Sequence, residues 1–124
     1  RQSITITDEY DVQDLFHTIL ISLFDDIRTE EWTPSYAGGS KRMDFLLKKE
    51  SIVIEIKKTR VGLNAKEVGD QLLIDIPHYK EHPSCKILYC FIYDPDKLID
   101  NPKGLENDLS FEDENLSVKT IITH

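Results

Sequence analysis

Cysteine is scarce in this sequence, and its spacing excludes two common roles. Cys85 and Cys90 are the only two, and five residues apart in a strand-like run they fall on opposite faces, which disfavours a disulfide or a zinc pair. They read as buried thiols in a reducing cytoplasm. Long apolar runs are also missing. None approaches the ~18 residues of a membrane span, so no membrane partner is expected. The chain starts at Arg1 with neither an initiator methionine nor a basic leader followed by an apolar stretch, and so reads as a piece excised from a longer protein and not as a secreted precursor. It has no internal repeat and no low-complexity tract. Its 124 residues suit one domain, 1–124, with a single core. Positive charge is short as well. Fifteen Lys and Arg face twenty-three Asp and Glu, a net charge of -8, which excludes the broad basic footprint of a tight nucleic-acid binder.

What is present centres on Met43 to Arg60, MDFLLKKESIVIEIKKTR. Successive side chains of a strand alternate faces, so Val53, Glu55, Lys57 and Thr59 share one face and Ile52, Ile54 and Ile56 the other. The isoleucines point to a core. Met43 to Lys48 is also strand-like, and the polar Lys48 to Ser51 makes a hairpin turn between the two. A two-residue loop (Lys49, Glu50) or a four-residue loop (Lys48 to Ser51) sets Asp44 directly across from Glu55. Their Cβ atoms would then lie about 4.5–5.5 Å apart, two carboxylates crowded beside an ammonium. A three-residue loop would offset Asp44, leaving Glu55 and Lys57 as ordinary solvated charges. Opposed like charges destabilise a bare sheet, and a divalent cation removes that cost. Magnesium takes oxygen ligands, here Asp44, Glu55 and a main-chain carbonyl such as that of Ile56. Alternation back from Asp44 adds Arg42 to the same face, where a guanidinium can grip a phosphate bidentately. Lys41 stands beside it.

Around this stretch the chain predicts an α/β order. Thr7, Asp8 and Glu9 cap a first helix running to about Arg28, with Val12, Leu15, Phe16, Ile19, Leu20, Leu23 and Ile27 as its core stripe. Glu9 projects into the stripe and Gln13 sits on its rim. Glu31 to Tyr36 reads as a short strand, followed by a glycine-bearing break at Ala37 to Ser40. Asn64 and Glu67 have capping-box spacing for a second long helix towards His82. Val68, Leu72, Ile76 and Tyr79 form its buried stripe, Gln71 and Asp75 lie on the rim, and Pro77 kinks the helix or ends it early. Lys86 to Tyr93 is nearly all apolar and reads as a strand covered on both faces, at the centre of the sheet. Asn101-Pro102 starts a short helix, the acidic Phe111 to Asn115 follows, and Leu116 to Thr123 is a last strand.

Asp44, Glu55 and Lys57 in adjacent strands resemble the D…(D/E)-x-K signature of the PD-(D/E)XK nucleases. The surrounding text, YDVQDLFHTIL, EEWTPSYAGGSKRMDFLL, IVIEIKKTR and YDPDKLIDNPKGLENDLS, resembles the nuclease domain of DpnII/MboI-type restriction endonucleases over most of the chain. Met43 stands where the signature has proline. The resemblance implies a restriction-endonuclease-like αβββαβ core, a mixed sheet with helices on both faces. It further implies Mg²⁺- or Mn²⁺-dependent cleavage of phosphodiester bonds, most naturally in DNA, with Asp44 and Glu55 as metal ligands and Lys57 as the catalytic ammonium. Gln71 resembles the extra polar residue such nucleases add to the site, and the first helix is expected to contribute Glu9 or Gln13. Lys41, Arg42 and Lys58 are the candidate phosphate contacts. Such domains serve in bacterial restriction or as cutting modules of anti-phage effectors, which suggests a homo-oligomer or a sensor or targeting domain N-terminal to Arg1. Two alternatives stay open: a catalytically silent interaction module with the same fold, or a nuclease for RNA or branched DNA. The charge is segregated in keeping with a site. Lys41 to Lys66 holds eight of the fifteen basic residues and three acids, so the remainder carries the acidic excess.

Overall fold

A computed structural model describes residues 5–29, 31–39 and 41–124. Its elements run α1 (Glu9–Leu23), β1 (Ile27–Thr29), β2 (Phe45–Leu47), β3 (Ile52–Lys58), α2 (Ala65–Lys80), β4 (Ile87–Tyr93), α3 (Pro102–Asp108), β5 (Phe111–Glu112) and β6 (Ser117–Thr123). The strands form one six-stranded sheet in the order β1-β2-β3-β4-β6-β5. It is mixed: β1, β2 and β3 pair antiparallel, β3, β4 and β6 parallel, and β5 antiparallel to β6. The expected α/β architecture of the restriction-endonuclease type is therefore present.

Each face of the sheet is covered by a helix. The Val53, Leu88, Ile92 and Val118 side packs against α2 through Val68, Leu72, Ile76 and Tyr79. On the opposite side Phe45, Leu47, Ile54 and Ile56 meet Val12 and Leu20 of α1. Burying an aliphatic side chain of this kind contributes roughly 1.5–3 kcal/mol, so the two layers fix the sheet between them. The β2–β3 register is the expected one. Phe45 pairs with Ile54, Leu46 with Val53 and Leu47 with Ile52, and Asp44, at the bend just before β2, turns its carboxyl to the Ile56 amide, beside Glu55.

α2 starts at the anticipated capping box, in which Asn64 accepts from the Lys66 amide and Glu67 accepts from the Asn64 amide. It passes through Pro77 to Lys80. The carbonyl four residues before a proline loses its donor, and here it belongs to Leu73 on the exposed side of the helix.

Three expectations are corrected. The first helix stops at Leu23, not Arg28: the Phe24 amide still bonds the Leu20 carbonyl, but Phe24 is already extended, and Asp25-Asp26 leads into β1. Ile27 is thus a strand residue paired with Leu47. Ile19 and Leu23, expected in the core stripe, are exposed. In place of a strand over Glu31 to Tyr36, the described residues there form only isolated bridges, Trp32 to Arg42 and Tyr36 to Gly39; Pro34 has no amide to extend a ladder. Glu30 and Ser40 lie outside the described residues. Among the described residues no helix is long and apolar enough to cross a membrane.

Candidate active site

Glu55 and Lys57 sit side by side on β3, both on the face that α2 covers, and are only 2% and 6% exposed. Burying charge is costly unless it is paired and hydrogen-bonded. α2 supplies the partners through Gln71, Asp75 and Tyr79, whose four-residue spacing lines them up along one side of the helix. The Lys57 ammonium donates to Gln71 Oε1 at 3.1 Å and lies 3.8 Å from Asp75 and 3.6 Å from Glu55. The Tyr79 hydroxyl donates to Glu55 Oε2 at 2.5 Å.

Asp44 joins the cluster from the end of β2. Its Oδ2 accepts from the Ile56 amide at 2.7 Å and its Oδ1 from Gln13 Nε2 at 3.1 Å. The carboxyl thus takes the place of the next ladder carbonyl and ties α1 to β3. Glu9, one turn before Gln13, accepts weakly from the Lys58 amide at 3.4 Å. Both residues expected from the first helix are therefore at the site, Gln13 bonded to Asp44.

The protonation of the cluster follows from its surroundings. Burial and the neighbouring Glu55 push the Asp44 carboxyl up to about 7, against the opposing pull of the Ile56 amide and Lys41. Glu9 is also raised, by burial, with the Lys58 amide acting the other way. For Lys41, burial works to lower the ammonium, yet Glu55 and Asp75 outweigh it and raise it. Tyr79 is held firmly neutral by burial and Glu55, so its hydroxyl remains a donor.

Lys41 and Arg42 exchange the places that alternation assigns them. Met43 packs on the α2 side with Leu46, although Phe45 between them faces α1. The chain bends at Asp44, and this bend resets the alternation by one residue. Lys41 consequently points to the α2 side, with its ammonium 3.2 Å from Glu55 Oε1 and 3.6 Å from Asp75. Arg42 is exposed and lines a cavity of about 320 Å³ together with Lys41, Asp44, Glu9, Gln13, Tyr10 and Thr29. Lys58 and Arg60 line an adjoining cavity of about 340 Å³, bounded by Thr7, Asp8, Glu9 and Tyr10.

Sequence reasoning missed two members. Tyr79 was legible only as a core residue and Asp75 only as a rim residue; the available signal was their spacing with Gln71, three polar groups in register on one side of α2. Among the described residues no group of three or more His, Cys, Asp or Glu side chains forms a ready metal cluster. The oxygens suited to a hard divalent cation are those of Asp44 and Glu55, supplemented by main chain. Ile56 is placed for that, because a strand residue presents its N–H and C=O to the same side, and its N–H faces Asp44.

A family model described as REase_DpnII-MboI matches residues 1–124. No curated protein matches the chain. No solved structure matches it either.

Proposed function

We propose that this chain, which belongs to the DpnII-MboI restriction-endonuclease family, is a divalent-metal-dependent nuclease that hydrolyses phosphodiester bonds in DNA. The observation that carries the reading is the convergence of the half-buried Asp44, just before β2, with the buried Glu55 and Lys57 of β3. The donor set suits the metal. A carboxyl pushed up to about 7 by burial and a neighbouring acid is short of positive charge, and a hard dication supplies it. Asp44, Glu55 and the Ile56 carbonyl would hold Mg²⁺ or Mn²⁺, which when bound polarises the scissile phosphate and makes water more acidic. Lys57, held by Gln71, orients the attacking water and offsets negative charge developing on the phosphate oxygens. Gln13 holds Asp44 in place, and Tyr79 does the same for Glu55. Arg42 and Lys58, which line the two cavities, would contact phosphates there, and Lys41, whose ammonium rests on Glu55, is the third candidate.

As a family trait, this activity suits bacterial restriction or an anti-phage effector in which another domain or a second copy supplies DNA affinity. The net charge of -8 also favours a second reading, an interaction module that keeps the fold without the chemistry. One assay separates these. The protein is incubated with supercoiled plasmid, linear DNA, branched DNA and RNA, each with Mg²⁺, Mn²⁺ or EDTA, alongside Glu55→Gln. Metal-dependent cleavage of DNA, lost in Glu55→Gln, is the expected result. Cleavage of RNA or branched DNA alone reassigns the substrate, and no cleavage under any condition favours the interaction module.

A further inference from the structure

Both oxygens of Glu55 are engaged, but by groups of very different mobility. Oε2 is held by Tyr79, which is 0% exposed and packed in the same cluster as Val68, Leu72 and Ile76; that bond is built into the core. Oε1 faces two ammonium groups, Lys41 at 3.2 Å and Lys57 at 3.6 Å. Lys57 is rooted in the middle of the sheet, its side chain buried and tied to Gln71. Lys41 has a different footing. Its side chain is 25% exposed, it stands just before the bend at Asp44, and it borders the cavity beside Arg42.

Oε2 has its Tyr79 bond on the core side, whereas Oε1 is the oxygen that faces Lys41 at the edge of the cavity, so a dication shared by Asp44 and Glu55 would take Oε1. That is the atom on which the Lys41 ammonium rests. Three positive centres on one carboxylate oxygen repel one another, and Lys41 is the one with room to leave. We infer that Lys41 is a built-in counter-cation of the metal-free site, which a divalent metal displaces from Glu55 into the adjoining cavity, where it becomes a phosphate contact. The inference rests on the nuclease reading and adds an order of events. Metal binding frees the ammonium that then meets the substrate, so metal and DNA bind cooperatively.

The test has two readouts, neither of which is cleavage. Mn²⁺ affinity is measured by calorimetry for the wild type, Lys41→Met and Lys41→Arg. The methionine variant is expected to bind Mn²⁺ roughly tenfold more tightly, the scale of an ordinary coupling between sites, and the arginine variant about as the wild type. Accessibility of the amine is then read by acetylation and peptide mass spectrometry in EDTA and in saturating Mg²⁺. Lys41 should label severalfold faster with metal, while Lys57 stays protected. If the wild type binds metal and cuts DNA, yet Lys41 labels equally in both conditions or Lys41→Met gains no affinity, displacement is overturned and the nuclease reading stands. If neither the wild type nor Lys41→Met binds Mn²⁺, both fall together.

Discussion

Asp44 makes the metal site a proton site as well. A ligand carboxyl must be ionised to bind metal, and metal binding releases any proton it holds. With the Asp44 carboxyl pushed up to about 7 by burial and Glu55, roughly nine in ten molecules carry that proton at pH 6 and few do above pH 8.5. Apparent Mn²⁺ affinity should therefore weaken about tenfold from pH 8.5 to pH 6, and about thirtyfold to pH 5.5. Calorimetry in two buffers of different ionisation enthalpy should give close to one proton released per site at pH 6 and almost none at pH 8.5. The same group acts on stability. Its folded-state affinity for the proton exceeds that of the unfolded chain, so its stabilising effect is complete below 3.8 and is lost as pH rises through about 7. In EDTA, Asp44→Asn, which keeps an acceptor for the Ile56 amide, should gain on the wild type across that window. The gain should reach about 2–4 kcal/mol at pH 8 by urea denaturation. A pH-independent metal affinity with no proton release, together with parallel stability curves for the two proteins, would refute the placement of Asp44 beside Glu55.

The remaining expectations concern single groups and assembly. Lys57→Ala should abolish turnover while Mn²⁺ binding by calorimetry stays within a few-fold of wild type; joint loss of both would make Lys57 a structural partner of the carboxylates. Tyr79→Phe removes the donor from a buried carboxylate and should cost about 1.5–3 kcal/mol in urea denaturation; an unchanged midpoint would show that Glu55 finds another donor. Cutting both strands of a duplex calls for two sites of opposed polarity, most simply a two-fold dimer. Plasmid linearisation should thus rise faster than linearly with protein concentration and accelerate on fusion to a forced dimer. A rate strictly proportional to concentration, with linear product at once, would count against it.

What was legible in the sequence was whatever short-range periodicity encodes. Alternation in Ile52 to Lys58, with a polar turn before it, narrowed the hairpin to a register that faces Asp44 with Glu55 or, for a three-residue loop, one that offsets them, and Phe45 opposite Ile54 is the former. Asn64 and Glu67 marked the start of α2 because capping is a contact three residues long. The failures lie where a tertiary contact overrides a local pattern. Ile27 continues the helical stripe of α1, but it gains more by pairing with Leu47 in the sheet. The bend at Asp44 breaks an alternation that looks continuous, and one residue of slip puts Lys41 rather than Arg42 on Glu55. Tyr79 reads as core from its spacing, and it is core; the partner of its hydroxyl is 24 residues away on another element.

The charge distribution acquires a meaning only with the fold. The basic residues from Lys41 to Lys66 are clustered in sequence, yet in space Lys41 and Arg42 line one cavity and Lys58 and Arg60 the next, with Glu9 and Tyr10 common to both. Each cavity thus has two cations in its lining, with Asp44 and Glu9 in the first and Asp8 and Glu9 in the second. Four cations neutralise at most about four phosphates, a log–log salt slope near -3.6, against the six to ten contacts of a tight DNA binder. The acidic remainder of the chain opposes even that attraction. On the nuclease reading these cavities would orient a backbone beside Asp44 without holding it for long, and a second copy or another domain would then bring DNA to it.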